Sequence, residues 1–238
     1  MSNQMRVKAY SNFYEQGLGD RLVDSSHFPA SIECFLAGER NLLHSYADQF
    51  DLLIEVGCMD GRYLTWAAHS GKLYLGIDVV PRYIDIALKK LMQMSIDPKN
   101  YRLVVGDVVD LPHLISKENF EVSPPKILTF FPFNSFGNIL DIDGAALALS
   151  RMGTPTIIST YGTHTEATIE RKKYYANCHY DNLQLIEDER GVYFKSNDGL
   201  CSVAYHFGYI RNFFSSYGIT ASSLSFSKIG EMIFLNNA

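Results

Sequence analysis

Residues 50–79 read FDLLIEVGCMDGRYLTWAAHSGKLYLGIDV, and the order of elements in this stretch decides the fold. Leu52-Leu53-Ile54 is an apolar run of the length of a buried strand, and an acid, Glu55, follows it. Gly57-Cys58-Met59-Asp60-Gly61 comes next. Leu64, Ala67 and Ala68 then share one helical face, and Gly71 stands where a helix C-terminus favours glycine. Leu73 to Ile77 is a second apolar run, closed by Asp78. Strand, glycine turn, helix and strand predict a parallel pair with a carboxylate at each carboxyl end. Open α/β sheets hold their ligands at those ends.

Glycine lets a backbone turn sharply and lets a ligand approach closely. An acid about twenty residues past such a turn suits a ribose diol. The spacing then separates the candidate cofactors. A dinucleotide fingerprint needs glycine at its first, third and sixth positions, and here those are Gly57, Met59 and Arg62. A phosphate loop ending in Gly-Lys-Ser/Thr is absent from the sequence.

Glu55-x-Gly57-x-Met59-x-Gly61 instead resembles the first motif of class I S-adenosylmethionine-dependent methyltransferases, acid-x-Gly-x-Gly-x-Gly. Met59 stands where the middle glycine is usual, and its side chain is expected to point away from the cofactor. The resemblance runs from about Phe50 to the C-terminus. It implies an α/β fold: a Rossmann-like seven-stranded, mostly parallel sheet with helices on both faces and only the last strand antiparallel. It implies S-adenosyl-L-methionine as cofactor and S-adenosyl-L-homocysteine as product. The residues it assigns to the cofactor are Glu55, Gly57, Cys58, Met59 and Gly61 in the turn, and Asp78 and Val79 after the second strand. Asp107 and Val108 after the third strand and Phe131 in the fourth complete them, with Asp107 at the adenine amino group. A bare Asp after a strand is also a common helix cap.

The chain has 238 residues and is 47% hydrophobic and 20% charged, which suits one large α/β domain. No apolar run is long enough to span a membrane, and the first ten residues lack a secretion signal. Cys34, Cys58, Cys178 and Cys201 are scattered without metal-like pairing, so the reading is a cytoplasmic protein with no metal. A formal charge of −5 argues against a nucleic-acid partner. The expected partner is a small molecule, and a homodimer is compatible with the chain.

The expected organisation is a single domain, with residues 1–49 a helical lid, 50–179 and 207–238 the core, and 180–206 a substrate-side insertion. Ile32, Phe35, Leu36, Leu42, Leu43 and Tyr46 recur at helical spacing after Pro29. Tyr10, Phe13 and Tyr14 precede them, as an aromatic lid or as a strapped-down arm. Pro81 opens a helix with Ile84, Ala87, Leu88 and Leu91 inward. Tyr101 to Val105, Lys126 to Phe131 and Thr156 to Ser159 are further strands, and a polar connection follows Val108 as far as Pro124-Pro125. Short β segments around residues 183–186, 192–194 and 200–205 alternate with turn residues and predict an antiparallel insertion. A helix around Tyr209 to Phe214 and a terminal hairpin complete the chain.

Asn134-Ser135-Phe136 after the fourth strand resembles an element of the glycine N-methyltransferase-like branch. The expected substrate residues are Asn134, its neighbour Phe133 and Tyr14 of the N-terminal arm, and the expected catalytic residues are Asn134 with Tyr161 and His164 at the tip of the fifth strand. Asn-Ser also reads as a cap for a helix over 139–149, and a histidine near a strand tip also serves as a structural donor. Methyl transfer from a sulfonium needs orientation, exclusion of water and a neutral nucleophile. The expected activity is methyl transfer to nitrogen or oxygen of a small metabolite, with nitrogen preferred. An oxygen acceptor would need a base, for which His164 is the candidate. The alternative is a regulatory or accessory protein that binds S-adenosylmethionine without catalysis. Met59 keeps it open.

Overall fold

The computed structural model describes residues 13–94, 96–118 and 126–237. A seven-stranded sheet runs in the order β3-β2-β1-β4-β5-β10-β9. Its strands are β1 (Leu52–Val56), β2 (Leu73–Asp78), β3 (Tyr101–Val105), β4 (Ile127–Phe131), β5 (Thr156–Tyr161), β9 (Ile219–Phe226) and β10 (Gly230–Asn237). Neighbours from β3 to β5 pair in parallel. β10 pairs antiparallel with both β5 and β9, so it alone opposes the rest. All five β1 residues are buried, because the strand is central and covered on both faces.

The helices are α1 (Ala30–Ser45), α2 (Leu64–His69), α3 (Pro81–Gln93), α4 (Leu111–Lys117), α5 (Ile142–Met152), α6 (Thr165–Asn177) and α7 (Phe207–Ser215). Their apolar faces build two cores, one on each side of the sheet. Ile32, Phe35, Leu43 and Phe130 lie in one, and Leu75, Phe131, Ala145 and Phe214 in the other. The split follows the alternation of strand side chains, since neighbours Phe130 and Phe131 face opposite cores. No helix among the described residues is long and apolar enough to cross a membrane.

A separate antiparallel sheet joins β6 (Gln184–Asp188), β7 (Gly191–Lys195) and β8 (Cys201–Tyr205), as the turn residues predict. Gly191 can carry no side chain, because a Cβ there would stand 2.1 Å from the Ala204 carbonyl oxygen.

Three local expectations are corrected. The connection after Val108 contains α4, with Pro112 in its first turn, where a missing N–H costs nothing. The helix expected over 139–149 begins at Ile142, and Asp141, not Asn134, caps it by accepting the Gly144 N–H at 2.9 Å. β5 continues through Tyr161, which makes that residue part of the sheet. Tyr10 and Pro124-Pro125 lie outside the described residues.

Candidate active site

A cleft of about 380 Å³ opens at the carboxyl ends of β1, β2, β3 and β4. Three residues with positive φ, in the turns after β1 and β4, shape it. Gly57 leaves β1 at φ +74 and lies against Ser135, whose Cβ would be 3.0 Å from a Cβ added to Gly57. Met59 takes φ +47 and Phe133 takes φ +45, the left-handed region in which side chains are rarely found. Gly57, Met59, Asp78, Val79, Asp107 and Val108 all line the cleft, and so do Tyr14 and Phe133.

Asp78 organises this floor. Its Oδ2 accepts the Met59 N–H at 2.9 Å, and its Oδ1 accepts the Val80 N–H at 2.9 Å. Burial pushes its pKa up, and those backbone bonds pull it back. A carboxylate offers about four acceptor sites, so backbone donors do not exhaust the capacity of Asp78. Asp107 accepts the Val109 N–H at 3.2 Å, so it is a cap as well as a cleft residue.

Glu55, Cys58, Gly61 and Phe131 stand behind the lining and support it. Glu55 is fully buried; its Oε2 accepts the Tyr63 N–H at 3.0 Å and the Tyr74 hydroxyl at 2.5 Å, while Oε1 has no partner. Burial pushes its pKa up to about 8. Gly61 takes φ +75, and a Cβ there would stand 3.2 Å from Leu64 Cβ, so the turn into α2 favours glycine.

The three residues expected to act on the substrate do not line the cleft. Asn134, at φ +60, turns its amide inward. Its Oδ1 accepts the Thr160 hydroxyl at 2.6 Å and its Nδ2 donates to Ser202 Oγ at 3.0 Å. Tyr161 is buried among Phe35, Phe133 and the Arg171 guanidinium. His164 is exposed and caps α6, its Nδ1 accepting the Ala167 N–H. Residues 180–206 are absent from the lining too, and β8 meets the site through Ser202 on Asn134.

Two contributors carried no sequence signal. Glu39 of α1 is fully buried, and its carboxylate accepts the Tyr63 hydroxyl and the Phe133 N–H, each at 2.6 Å. Burial raises its pKa. Arg62 lines the cleft with its guanidinium 4.8 Å from the Phe133 ring centroid. The N-terminal segment lines the mouth through Tyr14, Glu15, Leu22 and Val23. Arg82 holds the base of that segment, donating to Asp20 at 2.8 and 3.0 Å.

Solved structures share this architecture. The CcbJ methyltransferase of Streptomyces caelestis superposes with a TM-score of 0.60 at 12% identity, over 96% of this chain and 99% of that one. Magnesium protoporphyrin IX methyltransferase of Synechocystis, with bound S-adenosylhomocysteine, gives 0.57 at 12% identity, over 98% and 99%. An S-adenosylmethionine-dependent methyltransferase of Clostridium acetobutylicum gives 0.56 at 12% identity, over 85% and 92%. The chain has the class I methyltransferase fold. No protein-family model matches the sequence, and no curated protein matches it. In the methyltransferase fold the cleft described above lies at the carboxyl edge of the parallel strands, where ligands of open α/β sheets sit.

Proposed function

We propose that this chain binds S-adenosylmethionine in the cleft and transfers its methyl group to nitrogen or oxygen of a small molecule. One observation carries the reading. The turn that leaves β1 at Gly57 is tied to the β2 tip, through the Met59 N–H on Asp78, at the floor of a cleft of about 380 Å³, a volume that suits a nucleoside-sized ligand. Asp78 has acceptor capacity left for the ribose hydroxyls, and Gly57 leaves room for close approach. Asp107 and Val108 border the adenine end, and Phe133 with Tyr14 the reacting end. The cofactor, when bound, supplies a methyl group already activated on its sulfonium.

The chain's own part is orientation and exclusion of water. Tyr14, Leu22 and Val23 line the cleft, and we read them as part of the lid expected of residues 1–49 over one methyltransferase domain. No histidine is among the described residues lining the cleft. A hydroxyl acceptor would need a base, for which the described lining offers carboxylates, whereas an amine sheds its proton to water, and nitrogen is kept as the preferred acceptor on that ground. Asn134 and Tyr161 support the reaction from behind, by fixing the loop after β4. The residue class of the lining suits a small metabolite, handled by a monomer or a homodimer in the cytoplasm.

A second reading, a non-catalytic binder, draws on Met59, which puts a side chain at the middle glycine position. Incubation with methyl-tritiated S-adenosylmethionine and a panel of amines, phenols and amino acids separates the two. Label in an amine supports the first reading. Binding of S-adenosylhomocysteine without label transfer to any acceptor supports the second.

A further inference from the structure

Arg62 is the one cation among the described residues lining the cleft, against four carboxylates, Glu15, Asp78, Asp107 and Asp141. Its guanidinium makes no hydrogen bond or ion pair within the described residues. Its charge acts on Glu39 and Glu55 through space, but burial opposes ionisation of both acids. The guanidinium is nevertheless held in place. Its Cζ lies over the Phe133 ring, 4.8 Å from the centroid. Phe133 is fixed in turn: its N–H donates to Glu39, and its ring packs on Phe35, Tyr161 and Tyr174. Its N–H donors, which no described acceptor takes, are available to a ligand in the cleft that Arg62 lines. Two parallel N–H donors match the two oxygens of a carboxylate.

We propose that Arg62, set over the Phe133 ring, is the carboxylate-binding residue of this cleft. The group bound is a carboxylate, and two ligands can bring one: the amino-acid end of the cofactor, or a methyl acceptor that is itself a carboxylic acid. Which source applies rests on the methyltransferase reading above; the carboxylate site itself does not.

The test uses calorimetry on the full chain, its Arg62→Gln variant and its Arg62→Lys variant, with four probes. S-adenosylhomocysteine carries the carboxylate, and 5′-methylthioadenosine is the same nucleoside thioether without the amino-acid end. Benzoate and benzamide are a charged and a neutral version of one small ring. If the cofactor supplies the carboxylate, Arg62→Gln weakens S-adenosylhomocysteine tenfold or more and leaves 5′-methylthioadenosine unchanged, which also shows that the variant is folded. If the acceptor supplies it, S-adenosylhomocysteine is unaffected and benzoate binding is lost in Arg62→Gln while benzamide is unchanged. Arg62→Lys keeps part of the affinity in either case. The proposal is overturned if Arg62→Gln changes neither S-adenosylhomocysteine nor benzoate. A wild-type chain that binds neither nucleoside contradicts the methyltransferase reading, and benzoate on the free chain still decides the role of Arg62.

Discussion

Asp78 Oδ2 accepts the backbone N–H of Met59 at 2.9 Å, which ties the tip of β2 to the middle of the turn after β1. The same carboxylate holds Val80 at the start of α3. Asp78→Ala leaves both donors without a partner. An unpaired buried donor costs about 1–3 kcal/mol. The expected outcome is faster hydrogen exchange at Met59 and Val80 than in the parent chain. Unchanged exchange at both amides contradicts this role.

Met59 carries a side chain at φ +47. Such a conformation costs a non-glycine residue about 1–2 kcal/mol, which Met59→Gly relieves. Glycine also gains freedom in the unfolded chain, which offsets about 0.4–1 kcal/mol. Stability in urea is therefore expected to rise by between zero and about 1.6 kcal/mol. S-adenosylhomocysteine affinity should be kept or improved. A loss of affinity identifies the Met59 side chain as a cofactor contact, which its place in the lining permits.

Glu55 predicts a pH dependence of stability. Its ordinary value is 4.5, and burial raises it to about 8 in the folded chain. Between these values the folded state holds a proton that the unfolded state has lost. The stability from this group is fully present below about 4.5 and is lost as pH rises towards about 8. The maximum slope is about 1.4 kcal/mol per pH unit. Urea denaturation across this range should show parent stability falling relative to Glu55→Gln. Parallel profiles contradict the assignment.

Asn134 predicts stability more than affinity. Asn134→Gly keeps the left-handed backbone but removes the bonds to Thr160 and Ser202. The expected loss is about 2 kcal/mol in urea denaturation. S-adenosylhomocysteine affinity should move less than threefold. A stable variant with sharply weaker binding would place the Asn134 amide at the ligand instead.

The fold was legible where its signals are local. Apolar runs end at Glu55 and Asp78, glycine falls at Gly71 and Gly218, and turn residues separate the short strands of the insertion. Gly57, Asp78 and Asp107 at strand tips were legible for the same reason. What was hidden depends on partners distant in sequence. Asn134 turns inward because Thr160 and Ser202 receive it, and neither is marked by spacing. Glu39 reads as an ordinary polar residue on α1, and its role exists only once Phe133 and Tyr63 reach it. Arg62 sits beside the glycine motif, but its value lies in the Phe133 ring beneath it. Pro112 concealed α4, because a proline in a first turn looks the same as one in a loop.

The central claim is that Asp78 and the turn after β1 form a nucleoside cofactor site. Titration of S-adenosylhomocysteine into the parent chain and Asp78→Ala, followed by calorimetry, tests it most directly. The account predicts one-to-one binding to the parent, weakened in the variant by about 2–4 kcal/mol through loss of two charge-assisted hydrogen bonds. No binding to the parent, or equal binding to both, contradicts it.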